Sequence, residues 1–168
     1  MHILSGTDWD WLVVGQHHGL PTRVLDWSYK PYVALWFALQ KHAHEDSKPE
    51  VWVLKPSKED IIKNLEKSRP FQGNRTKLFN TNFKIPRIRE QDGCFILFKY
   101  IVNSSKGFVP LERNTRLRKR IERIRIANYA APKILEQIER QGIKESKLFP
   151  NIDEVARLVK KRIYRKMA

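Results

Sequence analysis

The sequence predicts one α+β domain, built from a small mixed sheet and several helices. Three observations lead there. The 168 residues are 41% hydrophobic and carry 18 aromatic residues, enough for one buried core. Short β-rich runs, Val51–Leu54 and Gly93–Val102, stand among segments bounded by helix caps and stops. Helix starts and stops at Thr7, Gly19, Pro31, Pro132 and Gly142 supply the helices beside those strands.

Thr7, followed by Asp8 and Asp10, opens a first helix through Trp9 and Val13 to about His18, where Gly19 and Pro21 stop it. Thr22–Trp27 reads as a short extended or irregular link. Pro31 opens a second helix, apolar on almost every side through Leu39 and so expected in the core. A polar loop spans His42–Pro49 before the strand at Val51. Ser57 is placed to cap a modest helix to about Lys67. Residues 69–84 mix Pro, Gly, Asn and basic residues and read as a long loop. Gly93–Val102 is the strongest strand pattern, followed by a turn with Ser104, Ser105 and Gly107. Ile124 and Ile126 alternate with Arg123 and Arg125, as in a half-exposed strand. Pro132 opens a helix through Arg140, closed by Gly142. Leu148-Phe149-Pro150 is an apolar stop, and Asp153 could open a last basic helix.

Composition excludes several classes. Cys94 is the single cysteine, so there is no internal disulfide framework and no multi-cysteine zinc site. No apolar run reaches the ~18 residues of a membrane span, and Met1–Asp10 lacks a signal-peptide layout. A cytoplasmic protein is expected, without membrane partners. His17 and His18 are adjacent and cannot chelate one metal from a helix, and no metal cofactor is expected. The net charge is +15 with a pI near 10.1, and the excess is densest in residues 111–168. That basic third suits polyanions, nucleic acid among them, through Arg113, Arg116, Arg118, Lys119, Arg120, Arg123 and Arg125. A solvated basic face is the plainer alternative.

Gln16-His17-His18-Gly19-Leu20-Pro21-Thr22-Arg23-Val24-Leu25-Asp26-Trp27-Ser28 concentrates hydrogen-bonding side chains between two apolar helices. Buried, these groups must pair with one another or hold something. The self-satisfied version has Asp26 buried against Arg23 or a histidine, with Thr22 capping backbone. This segment, with Pro31 and Phe37-Ala38, resembles the FRG domain, whose signature differs mainly at Val24 and Ser28. The family's second signature appears as Pro86-Arg87, Gln91, Gly93 and Phe95, and a looser third as Gly142-Ile143 with Leu148-Phe149-Pro150. The resemblance covers residues 1–168 as one domain of a mainly bacterial and phage family. The upstream Phe/Tyr-Arg-Gly that names the family has no counterpart, which implies a domain lacking its N-terminal part.

The order of the signatures is similar to that of ADP-ribosyltransferases: an Arg on a first strand, a hydroxyl element before an Ala/Phe helix, then a polar residue at a later strand. By that similarity Ser28 and Gln91 are the candidate catalytic residues and face one pocket. Gln16, His17, His18, Thr22, Arg23, Asp26, Trp27 and Arg87 are candidates to hold NAD. Gln91 supplies no charge where a carboxylate normally steadies the oxocarbenium-like transition state. The similarity therefore implies an NAD-binding domain inactive as this chain alone. Two other readings stand beside it: a non-catalytic nucleic-acid or interaction module using the basic third, and a structural remnant.

Overall fold

The computed structural model describes residues 6–40, 48–73, 75–102 and 107–150. The expected helix from Asp153 and most of the loop after His42 lie outside the described residues, as do Ser104 and Ser105 of the expected turn.

Helix α1 spans Asp8–His17. Thr7 and Asp10 form a reciprocal capping box, with Thr7 N and Oγ1 donating to Asp10 Oδ2 at 2.9 and 2.7 Å. The helix closes in a Schellman turn: Leu20 N donates to Gly15 O and Gly19 N to Gln16 O, with Gly19 at φ 84°. Strand β1, Val24–Ser28, follows at once, so the link is more regular than its sequence suggests. Helix α2 is Pro31–Leu39 and buries Val33, Trp36 and Leu39. Strand β2 is Glu50–Leu54, β3 is Lys77–Phe79, helix α3 is Pro86–Gln91 and β4 is Gly93–Leu97. Strand β5 is Ile121–Arg125, helix α4 is Ala131–Arg140 and α5 is the single turn Glu145–Leu148.

The strands form two small antiparallel sheets, ordered β1-β4-β3 and β2-β5. Central β4 is apolar on both faces because both are covered. Phe95 and Leu97 enter a cluster with Trp9, Val13, Val24, Phe79 and Ile88. Ile96 enters a second with Phe98, Leu111 and Leu117, against which Trp27, Leu54 and Ile121 pack. A third cluster joins α2 to α4 and α5 through Val33, Trp36, Ile138 and Leu148.

Three expectations need correction. No helix follows Ser57, although its N–H and hydroxyl both donate to Asp60. The backbone there is drawn sideways: Leu78 N donates to Asp60 O and Ile62 N donates to Leu78 O. Lys77–Phe79, expected within a loop, is a strand because it pairs antiparallel with β4, Leu78 opposite Ile96. Strand β4 stops at Leu97, five residues early. Lys99 N turns to Thr76 Oγ1, and Ile101 N to Gly107 O.

Candidate functional site

Strand β1 lies at the edge of its sheet, and four of its consecutive residues, Leu25–Ser28, line a cavity of about 620 Å³. Phe37 of α2 and Trp52 of β2 stand across it, and Phe98 and Phe108 contribute further apolar wall. Arg87 and Gln91 of α3 complete one end. Five candidate residues therefore share this cavity: Asp26, Trp27, Ser28, Arg87 and Gln91. Ser28 and Gln91 reach it from different elements, as expected.

The polar groups at that end differ in how far they are already engaged. Ser28 Oγ donates to Gln91 O at 2.6 Å and accepts from Lys30 N at 3.0 Å. Gln91 Nε2 donates to Leu148 O at 2.9 Å, tying α3 to α5. Both catalytic candidates thus hold the fold together. Arg87 makes no ion pair among the described residues. Its guanidinium lies 4.5 Å from the Phe149 ring centroid, and its Nε is buried without a partner. Trp27 Nε1 is likewise buried without a partner among the described residues. Such donors are uncommon in folded proteins and mark either strain or a binding role.

The self-satisfied knot forms with different partners from those expected. Thr22 Oγ1 donates to Gln16 Oε1, and Gln16 Nε2 donates to Asp26 Oδ1 at 2.7 Å. Asp26 is exposed at the strand edge, not buried against Arg23. Three residues apart on extended chain, the two side chains project to opposite faces. Arg23 Nη1 instead donates to Phe98 O at 2.7 Å. Although Asp26 presents surface to solvent, its carboxyl stands in a partly desolvated recess. Desolvation raises it above the ordinary 3.8, while His17 and Arg87 pull it partly back. Half-buried His17 is held below 6.5, by desolvation first and then by the Arg87 charge, and its Nε2 lacks a partner among the described residues. His18 caps α1 and is exposed.

Burial pushes the Cys94 thiol up to about 11. No cluster of three or more His, Cys, Asp or Glu able to hold a metal occurs among the described residues. Among the described residues, no helix is long and apolar enough to cross a membrane.

The basic stretch is largely paired. Arg116 and Arg120 bind Asp60 at 3.0 and 2.9 Å, and Arg116 also reaches Glu59. Arg123 and Arg125 sit 3.6 and 3.2 Å from Glu50 across the β2–β5 pair. Arg113, Arg118 and Lys119 make no ion pair among the described residues.

Sequence reasoning missed the far wall of the cavity. Trp52 and Phe108 come from segments with no motif. The available signal was Trp52 itself, a large aromatic on a strand whose neighbours Val51 and Val53 take the other face.

A family model described as the FRG domain matches residues 1–47. The match spans α1, β1 and α2, and so includes the β1 side of the cavity but neither Arg87 nor Gln91. No curated protein and no solved structure matches the chain.

Proposed function

We propose that the cavity along β1 binds a nucleotide of the NAD type and that this chain does not turn it over. The observation that carries the reading is the uneven engagement of the polar end. Arg87, without an ion pair among the described residues and stacked on Phe149, would hold phosphate, where a guanidinium gives paired, charge-assisted hydrogen bonds. Asp26 can accept from a ribose hydroxyl. Trp27, Trp52 and Phe37 offer faces for a base or nicotinamide ring. The same geometry argues against catalysis. The Ser28 hydroxyl and the Gln91 amide are spent on backbone carbonyls, and neither brings charge to an oxocarbenium-like centre.

The test is a thermal-shift series with NAD, ADP-ribose and nicotinamide, beside an assay of nicotinamide release. NAD and ADP-ribose should both raise the melting temperature, and no nicotinamide should appear. Release that disappears in Gln91→Ala would overturn the claim of inactivity. No shift with any of the three would overturn the claim of binding.

A further inference from the structure

The surface that keeps its positive charge is not the Arg113–Arg125 stretch as a whole. Arg75 and Lys99 border two adjoining hollows, of about 270 and 240 Å³. Arg113 and Arg116 also line the first, and Arg23 the second. Among the described residues, Arg23, Arg75, Lys99 and Arg113 make no ion pair. Two carboxylates stand here among the described residues, and both are already taken: Asp60, whose side chain is 1% exposed, by Arg116 and Arg120, and Glu59 by Arg116. The positive field there is therefore not cancelled locally.

The face also carries aromatic rings in the open. Phe71 is 68% and Tyr100 58% exposed. Between them lies the Arg23 guanidinium, 6.0 Å from the Phe71 centroid and 5.1 Å from that of Tyr100. Its hydrogen bond to Phe98 O fixes the plane from behind. Unpaired cations beside solvent-facing rings suit a ligand that presents phosphates and bare bases together. A duplex offers phosphates but hides its base faces. An acidic peptide offers charge but nothing flat for the rings.

We propose that this face binds single-stranded nucleic acid, with Arg75, Lys99 and Arg113 on phosphates and a base stacked against Tyr100 or Phe71. Its cations and exposed rings are not those of the cavity along β1, although Phe98 borders both.

The test is fluorescence anisotropy of the full chain with labelled 12-nucleotide oligo(dT) and oligo(U), from 50 to 200 mM KCl. Log affinity should fall linearly with log salt, at about −0.7 per contacted phosphate. Arg75→Ala and Lys99→Ala should each make the slope shallower by about that amount. Tyr100→Ala should weaken binding roughly ten-fold with the slope unchanged, and Tyr100→Phe should bind as wild type. Lys133→Ala, at an exposed position of α4, should change neither quantity. Three results would overturn the proposal: Arg75→Ala and Lys99→Ala binding as wild type, Lys133→Ala weakening as much as Lys99→Ala, or duplex DNA or polyglutamate competing as well as the unlabelled strand.

Discussion

Asp60 and Asp26 each stand beside arginine, and the chain treats them in opposite ways. Asp60 is closed: Ser57 gives it an N–H and a hydroxyl, Arg116 and Arg120 give it guanidinium contacts, and its side chain is 1% exposed. Burial opposes its charge, but the Ser57 and Arg116 contacts prevail and hold the carboxyl below 3.8. Asp26 is open: Gln16 is its one hydrogen-bonding partner among the described residues, Arg87 is near without bonding it, and desolvation holds it above 3.8. A carboxylate surrounded by donors is part of the scaffold. One left short of donors, beside an arginine also left short, marks a surface prepared for something else.

The largest expected effect breaks the closed site. Asp60→Ala removes the acceptor shared by Ser57, Arg116 and Arg120 and should cost about 3 kcal/mol of unfolding free energy in urea. Asp10 is the same kind of group at the start of α1. It is fully buried and accepts from Thr7, from Thr81 Oγ1 at 2.5 Å and from Asn82 N at 2.7 Å. Asp10→Ala should cost about 2 kcal/mol in the same measurement. Next in size is Gln91→Ala, which loses one half-buried hydrogen bond to Leu148 and should cost about 1 kcal/mol.

Acid titration sharpens the contrast by sign. The folded-state carboxyls of Asp10 and Asp60 lie below their ordinary 3.8. Their contribution is complete above pH 3.8 and is lost as pH falls through the lower, folded values. Asp26 is raised, so its ionised form costs stability at neutral pH, and that cost fades as acid protonates it. The urea midpoint of wild type should therefore fall steeply below pH 4, and that of Asp60→Asn less steeply. The smallest effect belongs to Asp26→Asn: its melting temperature at pH 7 should equal or slightly exceed that of wild type.

Local chemistry was legible where it acts within a few residues. Thr7-x-x-Asp10, Gly19 and the prolines at helix starts all mark real boundaries. Ser57-x-x-Asp60 has the same spacing as Thr7-x-x-Asp10 and yet opens no helix. What decides between them is remote: Leu78 takes the backbone of Asp60, and two arginines more than 50 residues away take its side chain. The cavity divides in the same manner. Ser28 and Gln91, from two motifs, line one cavity with Asp26, Trp27 and Arg87, whereas Gln16, His17, His18, Thr22 and Arg23, from the first of those motifs, do not line it. The opposite wall depends on how the β2–β5 sheet is set against β1, which no local pattern encodes. The partner of Asp26 was misjudged for a related reason. Arg23 is near in sequence, but strand alternation turns it away and leaves Gln16, at the end of α1, within reach.

The most direct measurement exchanges one arginine from each site and reads two properties of each variant. Arg87→Ala and Arg116→Ala are titrated with NAD by tryptophan fluorescence and melted in parallel. The account predicts a crossover: Arg87→Ala loses NAD binding at least ten-fold with its melting temperature little changed, and Arg116→Ala melts earlier but binds NAD as wild type. Equal NAD affinity in Arg87→Ala and wild type would contradict it.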